Sequence, residues 1–152
     1  MITLVGIALK RAKRAPMEVQ ENGFINYMAG LEGEHRGNRK AGSGTGKRQV
    51  TVISEEQWRE ACAELGIHMP WHTRRAQLCV SGITFGPENV GRRIEFGTGA
   101  LLEITGETEP CERMDEIHPG LQAALSKNWR GGVTCRVENS GLIKINDELV
   151  LV

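Results

Sequence analysis

After Trp71 the sequence becomes a succession of short β-prone segments separated by glycine, and this pattern limits the fold more than any other feature does. The segments cover residues 76–81, 94–96, 100–105, 132–138, 142–145 and 148–152. Short strands at such close spacing are typical of a closed or nearly closed β-barrel. Residues 111–129 interrupt them, and we expect His118-Pro119 to divide that stretch into two short helices. We therefore predict an α+β fold dominated by a β-barrel, with a few short helices.

The first half of the chain adds strands and one well-marked helix to this plan. Residues 2–9 and 48–53 are β-prone. Ser54 then provides a helix N-cap, with Gln57 at the capping-box position and Gly66 as a stop, so we predict a helix over residues 55–65. A chain of 152 residues without an internal repeat or linker is expected to form one domain, residues 1–152.

Composition argues against several classes of partner. Lysine plus arginine equals aspartate plus glutamate, 19 each, and aromatic residues are few, so we expect no nucleic-acid partner. The opening apolar run, residues 1–9, is too short to cross a bilayer, so we expect no membrane partner. Four cysteines without a C-x-x-C pair and without a secretory signal indicate a reducing compartment, and we predict a cytoplasmic protein.

Two charged or glycine-rich segments precede residue 50. The basic cluster 10–14 is interpreted either as a solvated strand end or as an anion-binding rim. Residues 30–48 contain six glycines and are predicted to form a long, mobile loop. Their second half is similar to a phosphate-binding loop but has Ala41 and Arg48 where glycine and a hydroxyl residue are required, so we reject a nucleoside triphosphatase. No zinc site is expected, because Pro70 separates His68 from His72.

Cys111 is the main candidate for chemistry. It follows Pro110 and a β-prone run, which places it at or just inside a helix start. A thiolate there faces unpaired backbone N–H groups and the positive end of the helix dipole, which lower a cysteine pKa. The negative charges of Glu109 and Glu112 act in the opposite direction, and Arg113 offsets them only in part. We expect Cys111 to react fastest of the four cysteines, and we expect the loop 30–48 to lie over it.

The other three cysteines show structural patterns. Cys135 lies on the same strand face as Val133 and Val137, and Cys62 lies on an apolar helix stripe, so both are predicted to be buried. Cys79 is ambiguous, because it shares a strand face with polar residues while its apolar neighbours share the other face.

With these features the chain resembles the MOSC domain, the module named for the C-terminal domain of molybdenum cofactor sulfurase. The resemblance is carried by five stretches: Gly33-Glu34-His35, Arg48-Gln49-Val50, the run 101–105 leading to Pro110-Cys111, residues 130–137, and residues 145–150. It implies a β-barrel whose characteristic cysteine, here Cys111, carries sulfur as a persulfide or ligates molybdenum.

The first functional hypothesis from this resemblance is a sulfur carrier. Cys111 would accept sulfane sulfur from a separate pyridoxal-phosphate-dependent desulfurase, since this chain resembles the small members that lack the sulfurase's pyridoxal-phosphate domain. It would pass the sulfur to a metal-cofactor enzyme, for metal-sulfur or molybdenum cofactor maturation. Arg113 and Arg48 would stabilise the persulfide and His35 would move a proton.

The second hypothesis is a molybdenum-cofactor oxidoreductase, such as a reductase of N-hydroxylated compounds. Cys111 would be the metal ligand and Arg48, Arg75 and Arg136 would bind the cofactor phosphate, with Glu34 and Gln77 as further cofactor-binding residues. A third hypothesis is a non-catalytic ligand-binding barrel in which Cys111 is a surface residue. Whether the protein is an enzyme therefore stays open at this point.

The sequence departs from the family pattern at two places. Residues 75–78 stand where the family often has a Gly-Glu-Asn stretch, with Gln77 in place of asparagine, and Glu34 stands where aspartate is common. The Glu88-Asn89-Val90 triplet imitates the missing stretch but lies closer to Cys111, so we do not assign it to the site.

Overall fold

The computed structural model describes residues 1–35 and 46–152. The strands are β1 (Ile2–Leu9), β2 (Glu18–Gln20), β3 (Asn22–Asn26), β4 (Gly30–Leu31), β5 (Val50–Ser54), β6 (Leu78–Ser81), β7 (Arg93–Phe96), β8 (Leu101–Glu107), β9 (Val133–Asn139), β10 (Gly141–Lys144) and β11 (Glu148–Leu151). The helices are α1 (Glu55–Glu64), α2 (Glu112–Ile117) and α3 (Leu121–Ser126), and 3₁₀ turns occur at Trp71–Arg74 and Pro87–Asn89.

A ring of strands closes into a barrel. Around the ring the order is β1, β6, β5, β9, β8, β7 and β11, and β11 pairs again with β1. Neighbours in the ring are antiparallel except β5 and β6, which are parallel because α1 and the following turn carry the chain back between them. Closure leaves the ring without a free edge. Strand β2 pairs with β1 outside the ring, and β10, β3 and β4 form a second small sheet. The predicted β-dominated barrel is confirmed.

Alternation along the strands divides the apolar residues between two cores. In β5, Val50 and Val52 belong to the cluster inside the barrel, whereas Ile53 points to the helices packed on the outer wall. The outer cluster also contains Trp58 of α1 and Met114 of α2, each at most 2% exposed. Because burying such a side chain stabilises the fold by about 1.5–3 kcal/mol, these contacts fix α2 on the barrel wall.

Helix α1 begins as the sequence indicates. The Ser54 hydroxyl accepts a hydrogen bond from the Gln57 backbone N–H at 3.3 Å, and Gly66 follows the helix with a positive φ of 66°. The Gln57 side chain does not bond back to the Ser54 backbone N–H, as the expected capping box requires. Its side-chain amide instead bonds the backbone of Phe85 and of Asn128 at 2.9–3.1 Å, which ties α1 to two loops.

Residues 111–129 form two short helices, as predicted. His118 is extended, with φ −154° and ψ 128°, and Gly120 has a positive φ of 89°, so neither continues the helical geometry of α2. Within the described ranges, no helix is long and apolar enough to span a membrane.

The sequence did not indicate β2, β3 and β4. These strands are short, with two to five residues each, and they form because of their pairing partners: β2 pairs with β1, and β3 pairs with β4 and with the distant β10. The predicted loop 30–48 therefore begins with a paired strand, Gly30–Leu31. Residues 36–45 lie outside the described residues, and the predictions that the loop is mobile and covers Cys111 fall largely on them.

Candidate functional site

Cys111 lies at the start of α2, as predicted. It is the N-cap residue, with extended backbone angles of φ −116° and ψ 178°, and its carbonyl accepts a hydrogen bond from the Met114 N–H at 3.0 Å. Its side chain is exposed and makes no capping hydrogen bond. The thiol is therefore accessible to another molecule.

The topology of the barrel gathers distant segments around this thiol. Strand β1 runs antiparallel to β6, and β5 runs parallel to it, so Ile7 and Val52 both lie beside Leu78. The residues that follow β1, precede β5 and precede β6 consequently meet at one end of the barrel. Val52 also lies opposite Val133, which pairs with Glu107 at the end of β8, where the segment leading to Cys111 begins.

A cavity of about 540 Å³ occupies this end of the barrel, and Cys111 lies in its wall. Among the residues that the structure describes, half of its fourteen lining residues are cationic: Lys10, Lys13, Arg14, Arg48, Arg74, Arg75 and Arg113. One acidic residue, Glu109, accompanies them. The positive charge comes partly from the basic cluster 10–14, so the structure favours the anion-binding interpretation of that cluster over the solvated strand end.

Arg74 is a site residue that the sequence analysis missed. It is 8% exposed, and its Nε and Nη2 donate hydrogen bonds to the carbonyls of Gly131 at 3.2 Å and of Thr108 at 3.1 Å. Burial lowers the pKa of Arg74, the electrostatic interaction with Cys111 acts to raise it, and Arg48 lowers it further. Arg74 therefore lies close enough to both Cys111 and Arg48 to interact electrostatically with each. The sequence indicated Arg74 only by its position next to Arg75, which was predicted to bind the cofactor phosphate.

Gly131 allows the segment before Cys111 to pack against the barrel. A Cβ on this residue would lie 2.4 Å from the Thr108 carbonyl oxygen and 3.3 Å from Pro110 Cδ. The adjacent Thr108 N–H donates to the Gly132 carbonyl at 2.8 Å. The backbones thus approach more closely than a side chain at residue 131 permits, and this approach sets the position of Cys111.

Gln77 lines the cavity, and Glu34 is not part of the cavity wall but bonds to residues that are. The fully buried Glu34 carboxylate accepts the Lys10 backbone N–H at 2.9 Å, lies 3.5 Å from Lys10 Nζ, and accepts the Gln77 Nε2 donor at 3.5 Å. The Gln77 side-chain oxygen accepts from both the backbone N–H and the hydroxyl of Thr51. This network holds three cavity-lining residues, Lys10, Gln77 and Thr51, in fixed positions.

The remaining predicted site residues divide between the cavity and the rest of the barrel. Arg48, Arg75 and Arg113 line the cavity, and Arg75 Nη2 also donates to the Ala15 carbonyl at 2.5 Å. His35 is exposed and reaches the site through its backbone, whose N–H donates to the Lys10 carbonyl at 2.6 Å, while its ring is not part of the cavity wall.

Arg136 does not belong to the cavity. Its guanidinium pairs with Glu103 across β9 and β8, and it lies further along β9 than Val133, which pairs with the end of β8. The sequence analysis grouped Arg136 with the phosphate-binding arginines by charge alone, and strand geometry separates it from them.

The other three cysteines are buried. Cys62, Cys79 and Cys135 are 4%, 0% and 0% exposed, which confirms the predictions for Cys62 and Cys135 and decides the ambiguous Cys79. Burial raises the pKa of all three thiols. Cys111 is therefore the cysteine that combines access with a polar, cationic environment.

The residues of the cavity fit an anionic group with an affinity for thiolate. The cations suit phosphate or another oxyanion, and a thiolate suits a soft metal or sulfane sulfur. The Thr108 hydroxyl, in the cavity wall, is buried and has no hydrogen-bond partner in the described part of the chain. No cluster of three or more histidine, cysteine, aspartate or glutamate side chains suited to a metal occurs in residues 1–35 and 46–152.

Comparison with known proteins gives a family match and several structural matches. The family model for the MOSC domain matches residues 34–150. The YuaD protein from Bacillus subtilis superposes with a TM-score of 0.76 at 24% identity, over 99% of this chain and 96% of that one. YiiM from Geobacillus stearothermophilus superposes with a TM-score of 0.72 at 18% identity, over 100% of this chain and 75% of that one. YiiM from Escherichia coli superposes with a TM-score of 0.71 at 14% identity, over 99% of this chain and 69% of that one. No curated protein matches the chain. At these identities the structural matches establish the fold alone.

Proposed function

Since the chain belongs to the MOSC domain family, we propose that it is a sulfur carrier that loads sulfane sulfur on Cys111. The observation that carries this proposal is the contrast among its four cysteines. Cys111 is exposed in the wall of a cationic cavity, whereas the other three are buried. A carrier needs a thiol that both a donor and an acceptor can reach, and this chain offers Cys111.

The transfer is a displacement at sulfur. The Cys111 thiolate attacks the outer sulfur of a donor persulfide, a bond forms between the two sulfurs, and the donor's own sulfur–sulfur bond breaks with its electron pair leaving on the donor thiolate. The product on Cys111 is an anionic persulfide. Arg113 and Arg74 in the same cavity stabilise that negative charge, and Arg48 adds to the positive field. His35 has no proton-transfer role in this step, because its ring is not part of the cavity wall.

The partners in this proposal are a separate pyridoxal-phosphate-dependent desulfurase as donor and a metal-cofactor enzyme as acceptor. The exposure of Cys111 supports direct handover between proteins, since a thiolate must meet the sulfur that it attacks.

Mass spectrometry of the protein isolated without reductant tests the proposal. We expect an adduct of one sulfur, about 32 Da, on the peptide that contains Cys111, because persulfidation is a reversible modification of accessible thiolates. Cys111→Ser should abolish the adduct and leave folding intact, because an exposed N-cap position contributes little packing and serine is a favoured N-cap residue. An adduct on one of the buried cysteines, or undiminished sulfur uptake by the serine variant, would refute the assignment.

The cation-lined cavity favours a second candidate function, the binding of molybdenum cofactor. Cys111 would be the thiolate ligand of the metal, and Arg48, Arg75 and the basic cluster 10–14 would hold the cofactor phosphate. When bound, such a cofactor would supply redox chemistry, as in the reduction of N-hydroxylated compounds. Metal analysis of the purified protein separates the two functions: stoichiometric molybdenum that is lost in Cys111→Ser favours the cofactor, and its absence together with the sulfur adduct favours the carrier.

A further inference from the structure

The positive charge around Cys111 exceeds what one thiolate needs. Lys13, Arg14, Arg48 and Arg113 line the cavity, and none of them forms a salt bridge with a residue in the described part of the chain. A persulfide or thiolate carries a single negative charge. The unpaired cations therefore indicate that a second, more highly charged anion enters the cavity beside the thiolate.

The buried Arg74 supports this view independently. Its Nε and Nη2 are committed to backbone carbonyls, which leaves Nη1 without a hydrogen-bond partner among the described residues. Because the residue is only 8% exposed and lines the cavity, that nitrogen is a preformed donor for an oxyanion.

We propose that the cavity binds thiosulfate, a small dianionic donor of sulfane sulfur, and that Cys111 takes sulfur from it directly. This inference rests on the proposed carrier function and names its donor class. A cavity of about 540 Å³ accommodates the dianion and releases its product through the same opening.

The reaction is balanced without an added oxidant or reductant. The Cys111 thiolate attacks the outer sulfur of thiosulfate, a sulfur–sulfur bond forms at Cys111, and the bond between the outer sulfur and the sulfonyl sulfur breaks with its electron pair leaving on sulfite. A thiolate and a dianion repel each other in water, so the step requires surrounding cations. Arg48 and Arg74 supply them, and their oxyanion contacts also stabilise the sulfite that leaves.

The first experiment supplies donors to the reduced protein. Thiosulfate is expected to add about 32 Da to the Cys111 peptide and to release one sulfite for each sulfur loaded. Inorganic polysulfide serves as a donor that does not carry the oxyanion group. Loading of Cys111 by polysulfide with none by thiosulfate would overturn this inference and leave the carrier function standing, whereas loading by neither donor would overturn both.

The second experiment tests whether the cations act on the donor or only on the thiolate. Arg48→Gln is compared with Arg59→Gln, a matched change at an exposed arginine of α1 outside this cavity. Each variant is treated with thiosulfate and with methyl methanethiosulfonate. The second reagent is neutral; the Cys111 thiolate attacks its sulfenyl sulfur and a sulfinate leaves. We expect Arg48→Gln to slow thiosulfate loading by about tenfold or more beyond any effect on the neutral reaction, the value of a hydrogen bond to a charged group. Equal slowing of both reactions, or a similar loss in Arg59→Gln, would overturn the inference.

Discussion

Replacing Gly131 by alanine tests whether backbone packing sets the position of Cys111. Gly131 does not adopt a positive φ, so the added methyl group acts through space rather than through the backbone angles. Its Cβ would lie 2.4 Å from the Thr108 carbonyl oxygen, 3.3 Å from Pro110 Cδ and 3.4 Å from Arg74 Nη2. To restore a van der Waals separation, the segment before Cys111 must move by roughly 1 Å.

The expected cost follows from these contacts. Overpacking against backbone costs about 1–3 kcal/mol, and the displaced Thr108 carbonyl also weakens its 3.1 Å hydrogen bond from Arg74, a charged donor whose bond is worth about 1.5–3 kcal/mol. Because the two effects share one displacement, we expect Gly131→Ala to lower the free energy of unfolding by about 3 kcal/mol. The rate of Cys111 alkylation by a neutral reagent should change as well, since the thiol moves relative to Arg74.

Gly97→Ala is the matched control. Gly97 also lacks a positive φ, and nothing lies within 4 Å of its Cβ position, so alanine there should change stability by less than about 1 kcal/mol, in the stabilising direction. Urea unfolding followed by tryptophan fluorescence measures both variants, with peptide mapping of alkylated Cys111 under native conditions. If Gly131→Ala is no less stable than Gly97→Ala and its Cys111 labels at the wild-type rate, the close approach does not position the thiol.

Three further predictions concern groups whose surroundings the structure defines. Cys111 should be alkylated first at neutral pH, because burial blocks the other three thiols and raises their pKa; time-resolved peptide mapping that finds a buried cysteine labelled first would contradict this. Gln57→Ala should lower the free energy of unfolding by more than about 2 kcal/mol, because it leaves buried backbone groups of Phe85 unpaired, and a loss below 1 kcal/mol in urea titrations would argue against that role. The hydrogen bond from Arg130 holds the pKa of Glu64 below its ordinary value of 4.5, so the stabilisation is present above that pH and is lost as pH falls through the lowered pKa. Glu64→Gln should therefore be less stable than the wild type at pH 7 and equally stable in strong acid, and a difference that persists in acid would exclude the ion pair as its cause.

The local features of this protein were readable from its sequence. Ser54 and Gly66 mark the ends of α1, Pro110 places Cys111 at the start of α2, and Val133 with Val137 assigns Cys135 to a buried strand face. Each depends on a few neighbouring residues, through capping, a restricted φ or period-two alternation, and such signals do not require knowledge of the rest of the fold.

Cys79 shows where local pattern is insufficient. In β6 its face carries polar neighbours, yet it is fully buried, because α1 and the outer apolar cluster cover that side of the barrel. A strand covered on both sides loses the alternation that identifies a solvent face, so only packing between elements decides its burial.

The composition of the site was likewise decided by tertiary structure. The sequence indicated Cys111 and the arginines beside its motifs, but it placed Arg136 with them and omitted Arg74. The order and direction of the strands explain both outcomes. Because β1 runs antiparallel to β6 and β5 runs parallel to β6, the residues that follow β1 lie at the same end of the barrel as those that precede β5 and β6. Arg136 lies further along β9 and pairs with Glu103. Charge and spacing along the chain carry no information on which strand ends become neighbours, and the cationic cavity arises from that pairing alone.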